Sequence, residues 1–86
     1  MIRREIQVQI PNGMEASPIA LLVQTASKFE SSIYLEYGSV RVNAKSIMGM
    51  MSIRVDYEEK ITLEVDGKDE AEAMESMAKF LSRTSD

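Results

Sequence analysis

Eighty-six residues make one small domain spanning 1–86, with enough chain for a modest core and little for decoration, so function must sit on the scaffold itself. Ten basic against fourteen acidic residues leave a net charge of −4, which argues against a direct nucleic-acid binder or an anionic-membrane binder, since both need a basic face. The chain has no cysteine and no histidine, which excludes disulfides, thiol chemistry, imidazole bases and soft-ligand zinc sites; no metal and no cofactor is expected.

The N-terminal run has neither a signal-like apolar block nor a span of about 20 apolar residues, so a cytoplasmic location is the default expectation. From Glu5 to Ile10, the residues Ile6, Val8 and Ile10 alternate with polar ones, the period of a strand with one wet face. Pro11-Asn12-Gly13 is turn chemistry. Ser17-Pro18 then reads as an N-cap followed by proline at the first helical position. The apolar set Ile19, Leu22, Val23, Ala26 and Phe29 predicts a helix lying across the sheet.

Ile33, Leu35 and Tyr37 alternate in a second strand, Gly38-Ser39 makes a tight hairpin, and Val40 and Val42 are expected to point inward from a third. Ser46 reads as the N-cap of a second helix, kept short by Gly49, which costs roughly 1 kcal/mol relative to alanine. Spacing alone fits two arrangements: a serine-capped core helix whose methionines all point inward, or an exposed, adaptable apolar patch of Ile47, Met48 and Met51 with Met50 and Ile53 turned into the core. A phosphate on Ser46 would suit the positive end of the helix dipole, and Lys45 would neutralise part of its charge. Asp56-Tyr57-Glu58-Glu59 is a charged turn, Ile61, Leu63 and Val65 mark a fourth strand, and Asp66-Gly67-Lys68 closes it. The last helix carries the strongest signals. Asp69 and Glu72 resemble a capping box, Lys79 and Arg83 lie near the end, and Ala73, Met74, Met77, Phe80 and Leu81 form the stripe to be buried. The order βαββαβα predicts an α+β protein with helices on one face of an antiparallel sheet. An exposed edge and a hinge before Pro11 would also permit strand exchange between protomers.

Over nearly its whole length the chain resembles HPr, the small phosphocarrier family of the bacterial sugar phosphotransferase system. The resemblance rests on three stretches. Leu22-Val23-Gln24-Thr25-Ala26-Ser27-Lys28-Phe29 looks like the first helix of Gram-positive HPr, Leu35-Glu36-Tyr37 like its second strand, and the run from Val42 to Ser52 like its regulatory serine site. It implies an HPr-like open-faced β-sandwich, a four-stranded antiparallel sheet covered on one face by three helices. It also implies phosphorylation of Ser46 by an ATP-dependent HPr kinase/phosphorylase, and a partner-binding surface made of Ala20, Val23, Gln24, Lys45, Ile47, Met48 and Met51.

The family's phosphorelay motif is altered. Where HPr has its active histidine this chain has Glu15, and the place of the partner arginine holds Ser17. Glutamate would form at best an acyl phosphate, and without the guanidinium the charge-assisted hydrogen bonds that steady a transferring phosphoryl group are lost. No catalytic residue and no relay through position 15 is expected. Glu15 then serves as an anion at a helix start or as a fixed imitation of phosphohistidine. The pattern is similar to the Crh-like branch, which keeps the serine and lacks the histidine, although that branch has glutamine at position 15 and retains the arginine. Its members bind, once serine-phosphorylated, to a LacI-type catabolite control regulator. The resemblance therefore implies a regulatory protein of carbon catabolite control, not an enzyme, with phosphotransferase-system proteins as further partners. The alternative is a phosphocarrier that passes a phosphoryl group through position 15.

Overall fold

A computed structural model describes residues 1–10, 16–56 and 58–82, and the side chains of all of these except Ala16 and Ser17. The expectations for Pro11-Asn12-Gly13, Glu15, Tyr57 and Arg83 lie outside the described residues, as does the Ser17 side chain. The elements are β1 (Ile2–Gln7), α1 (Ala16–Ser27), β2 (Ser32–Tyr37), β3 (Val40–Asn43), α2 (Ile47–Met51), β4 (Lys60–Asp66) and α3 (Glu70–Ser82). The four strands form one antiparallel sheet in the order β1-β4-β2-β3, with β1 and β3 at the edges.

Alternation along the strands sorts the chain into a dry and a wet side. Ile33 and Leu35 of β2 stand opposite Val65 and Leu63 of β4, and Ile6 stands opposite Ile61; all are buried. Leu22 and Ala26 from α1, Met50 from α2, and Ala73, Met74, Met77 and Leu81 from α3 complete the core. Burial of these side chains, each stabilising by roughly 1.5–3 kcal/mol when large, is what holds the helices on this face.

The opposite face is polar, and its charges are paired. Arg3 donates to Glu36 at 3.2 Å and to Glu64 at 2.5 Å, while Arg41 donates to Glu64 at 2.5 Å and lies 4.3 Å from the centre of the Tyr34 ring. Arg3 holds the Glu36 carboxyl below the usual carboxylate range, chiefly by hydrogen bonding.

Five local expectations are corrected. The first strand starts at Ile2 rather than Glu5 and ends at Gln7, and Val8 continues only through backbone bonds to Glu58 and Glu59. Arg4 sits opposite Leu63 on the helix-facing side of an edge strand, where its exposed side chain hides the periodicity. The first helix begins at Ala16, so Ser17 lies within its first turn and is not the N-cap. Pro18 is tolerated there because first-turn amides have no intrahelical partner. Val40 shares the helix-facing side with Tyr37 and Val42 but is 43 % exposed rather than buried, because β3 is the outer strand. The Asp69 carboxylate is not engaged in a capping box. It accepts from the amides of Glu30 and Ser31 at 2.9 and 3.0 Å and from the Ser31 hydroxyl at 2.5 Å, while Glu70 accepts from the Gly67 amide at 3.1 Å. Phe80 is only half-buried, and Ala78 takes a buried place instead.

Candidate functional site: the Ser46 cap and its apolar neighbours

The site is built by the turn between β3 and α2. Asn43 organises it: its side-chain oxygen accepts from the Lys45 amide at 2.8 Å, and its carbonyl accepts from the Ser46 amide at 3.0 Å. The adjoining Ala44 amide donates to the Ile33 carbonyl at 2.9 Å, which anchors the turn to the sheet. Ser46 then takes an extended conformation, φ −102° and ψ 113°, and its Oγ accepts from the Gly49 amide at 3.2 Å while its carbonyl accepts from the Met50 amide at 2.9 Å. This is the N-cap geometry that the sequence predicts.

The helix that follows has five residues. Its end is marked by Ser52, whose amide and hydroxyl both donate to the Gly49 carbonyl. So short a helix has one turn to divide between core and solvent. Met50 is fully buried and Ile53 nearly so, which fixes α2 to the domain. Ile47, Met48 and Met51 are left 45 %, 82 % and 56 % exposed, forming an apolar group beside a half-buried hydroxyl. Unbranched methionine presents flexible, polarisable surface, suited to an adaptable contact.

The remaining expected contact residues divide by environment. On α1, which packs against α2, Ala20 and Val23 are half-buried and Gln24 is exposed; Val23 also packs on the core. Leu21, which sequence reasoning passed over, is a further exposed apolar side chain on that helix. Its position off the apolar stripe of α1 was the available signal. Lys45 is not a free counter-charge, because its Nζ donates to the Phe29 carbonyl at 2.7 Å just past the end of α1. Among the described residues no group of three or more acidic, histidine or cysteine side chains is arranged to hold a metal ion, and no helix is long and apolar enough to cross a membrane.

Comparison with known proteins agrees with the fold that carries this site. The family profile described as "PTS HPr component phosphorylation site" matches residues 2–83. The HPr-like protein Crh of Halalkalibacterium halodurans is 42 % identical over 83 residues, covering 96 % of this chain and 99 % of that protein. Crh of Bacillus subtilis is 42 % identical over 81 residues, covering 94 % of this chain and 95 % of that protein. Among solved structures, the phosphocarrier protein HPr from Bacillus anthracis superimposes with a TM-score of 0.90 at 40 % identity, covering 93 % of this chain and 95 % of that one. The match runs over nearly the full length of both curated relatives, and the chain belongs to the HPr family as an HPr-like regulatory protein of its Crh-like branch.

Proposed function

We propose that this protein is a phosphorylation-dependent regulatory adaptor of carbon catabolite control, acting in the cytoplasm by protein–protein binding rather than catalysis. An ATP-dependent HPr kinase/phosphorylase phosphorylates Ser46. The modified chain then docks on a LacI-type catabolite control regulator through Ile47, Met48 and Met51, with Ala20, Val23, Gln24 and Lys45 alongside.

The observation that carries this reading is the placement of a half-buried N-cap hydroxyl directly beside three exposed apolar side chains. A phosphoserine adds about −1.5 to −2 charge and three acceptor oxygens at the amide end of a helix, where negative charge is favoured. Charge complementarity to a basic partner and apolar contact then act together at one spot. The chain has no histidine to carry a labile phosphoryl group, and Glu15 and Ser17 stand where the relay pair belongs in the family. No histidine phosphotransfer takes place.

Incubation with each donor system tests the proposal. ATP and HPr kinase should add one acid-stable phosphate that maps to Ser46 and is absent from the Ser46→Ala variant. Phosphoenolpyruvate and the carrier enzyme should add none. A hydroxylamine-labile phosphate acquired from phosphoenolpyruvate would instead identify a carrier working through Glu15.

A further inference from the structure

Gly49 occupies the centre of α2, where alanine would favour the helix by roughly 1 kcal/mol. Two other glycines have backbone reasons to be glycine: Gly38 has φ +62° and Gly67 has φ +156°. Gly49 does not fall among the positive-φ residues. What a side chain there would meet is the switch serine. A Cβ at position 49 would lie 3.3 Å from the Ser46 Oγ, 3.5 Å from the Ser46 Cβ and 3.7 Å from the Val42 Cβ. The first distance is tight but short of a collision, so an alanine requires the Ser46 Oγ to give way by a few tenths of an ångström.

We infer that Gly49 lacks a side chain in order to keep the Ser46 hydroxyl open to phosphoryl transfer, and that it is a specificity-determining residue for that modification. The inference rests on the proposed phosphorylation of Ser46. In the transfer, the Ser46 Oγ forms a bond to the γ-phosphorus of ATP, the bond from that phosphorus to the β,γ-bridging oxygen breaks, ADP leaves, and the hydroxyl proton passes to a base on the kinase. The Oγ must therefore accommodate an incoming phosphorus and its three oxygens in place of a proton. A methyl group already in contact with Oγ narrows the arc through which the phosphorus can arrive, and afterwards crowds the phosphate against α2. Because in-line transfer depends steeply on alignment, a small obstruction has a large effect on rate.

The test pairs two measurements on the full chain, with Gly49 and with Gly49→Ala. With HPr kinase and ATP, the variant should be phosphorylated about ten- to a hundredfold more slowly, the loss falling mainly on kcat. Thermal unfolding of each chain is then followed unmodified and with phosphoserine installed at position 46 by chemical synthesis. The unmodified variant should melt at or above the Tm of the parent, and phosphorylation, which should raise the Tm of the parent, should raise that of the variant less or lower it.

Equal phosphorylation rates, an equal effect of phosphate on both melting temperatures, or an unmodified variant that melts well below the parent would each overturn the inference. The last would show that a methyl group at position 49 disturbs the unmodified fold itself. If the kinase modifies neither chain, the phosphorylation reading fails, and unequal Tm shifts in the synthetic proteins still distinguish crowding at Ser46 from its absence.

Discussion

The Lys45 ammonium donates to the Phe29 carbonyl at 2.7 Å, which ties the residue before Ser46 to the chain just past the end of α1. The Phe29 carbonyl lies beyond the last turn of α1, and the ammonium that it accepts from also places a cation near the negative end of that helix. Lys45 thus joins α1 to the turn that presents Ser46. Replacement by methionine keeps much of the aliphatic stem and removes the donor. The expected loss is about 1 kcal/mol of unfolding free energy, read from urea denaturation with an unchanged m-value.

Asp69 fastens the start of α3 to the loop between α1 and β2. Its carboxyl is held below the usual range, first by the Ser31 hydroxyl and then by the backbone amides of Glu30 and Ser31. A carboxyl whose folded pKa lies below its unfolded value near 4 contributes stability that is present above the unfolded pKa and is lost as pH falls through the folded one. Asp69→Asn should therefore be less stable than the parent at neutral pH, and the difference should shrink as denaturation is repeated below about pH 4. A difference that stays constant to acid pH would mean that the ionised form contributes nothing.

Gly67 passes so close to Ser31 that a Cβ would lie 2.5 Å from its Oγ and 2.6 Å from its Cα, and its φ of +156° is one that other residues rarely adopt. Backbone cannot retreat as a flexible side chain can. Gly67→Ala should cost at least about 2 kcal/mol by denaturant unfolding, with a falling Tm. It is the opposite case to Gly49→Ala, where the unmodified chain is expected to keep its stability.

Val40 and Leu35 separate exposed edge from buried centre. Val40→Thr should change stability by no more than about 0.5 kcal/mol, because the side chain stands on the outer strand. Leu35→Ala should cost about 2–5 kcal/mol, since Leu35 is fully buried between helices and sheet. Urea denaturation of the two variants checks both values.

These contrasts show which features were legible in the sequence. Ile6, Ile33, Leu35, Ile61 and Leu63 revealed their strands because a two-residue period is a local property of a half-buried sheet. Met50 and Ile53 were not separable from Ile47, Met48 and Met51 by spacing, which fits an all-inward helix equally well; the resemblance to HPr implied the division that the burial shows. Val40 misled because alternation does not distinguish an outer strand from an inner one. Asp69 misled because the spacing to Glu72 is local while its partners, Glu30 and Ser31, are brought in by the fold. Lys45 is a similar case: only packing of α1 against α2 places the Phe29 carbonyl within its reach.

The central claim is that charge on Ser46 governs recognition of the neighbouring apolar surface. Its most direct test is the affinity of a LacI-type catabolite control regulator for the unmodified and Ser46-phosphorylated chains, measured by titration calorimetry at one salt concentration. The account predicts at least tenfold tighter binding of the phosphorylated form, about 1.4 kcal/mol, and loss of that gain in the Met48→Ser variant. Equal affinity of the two forms, or a phosphate-dependent gain that survives Met48→Ser and Met51→Ser together, would contradict it.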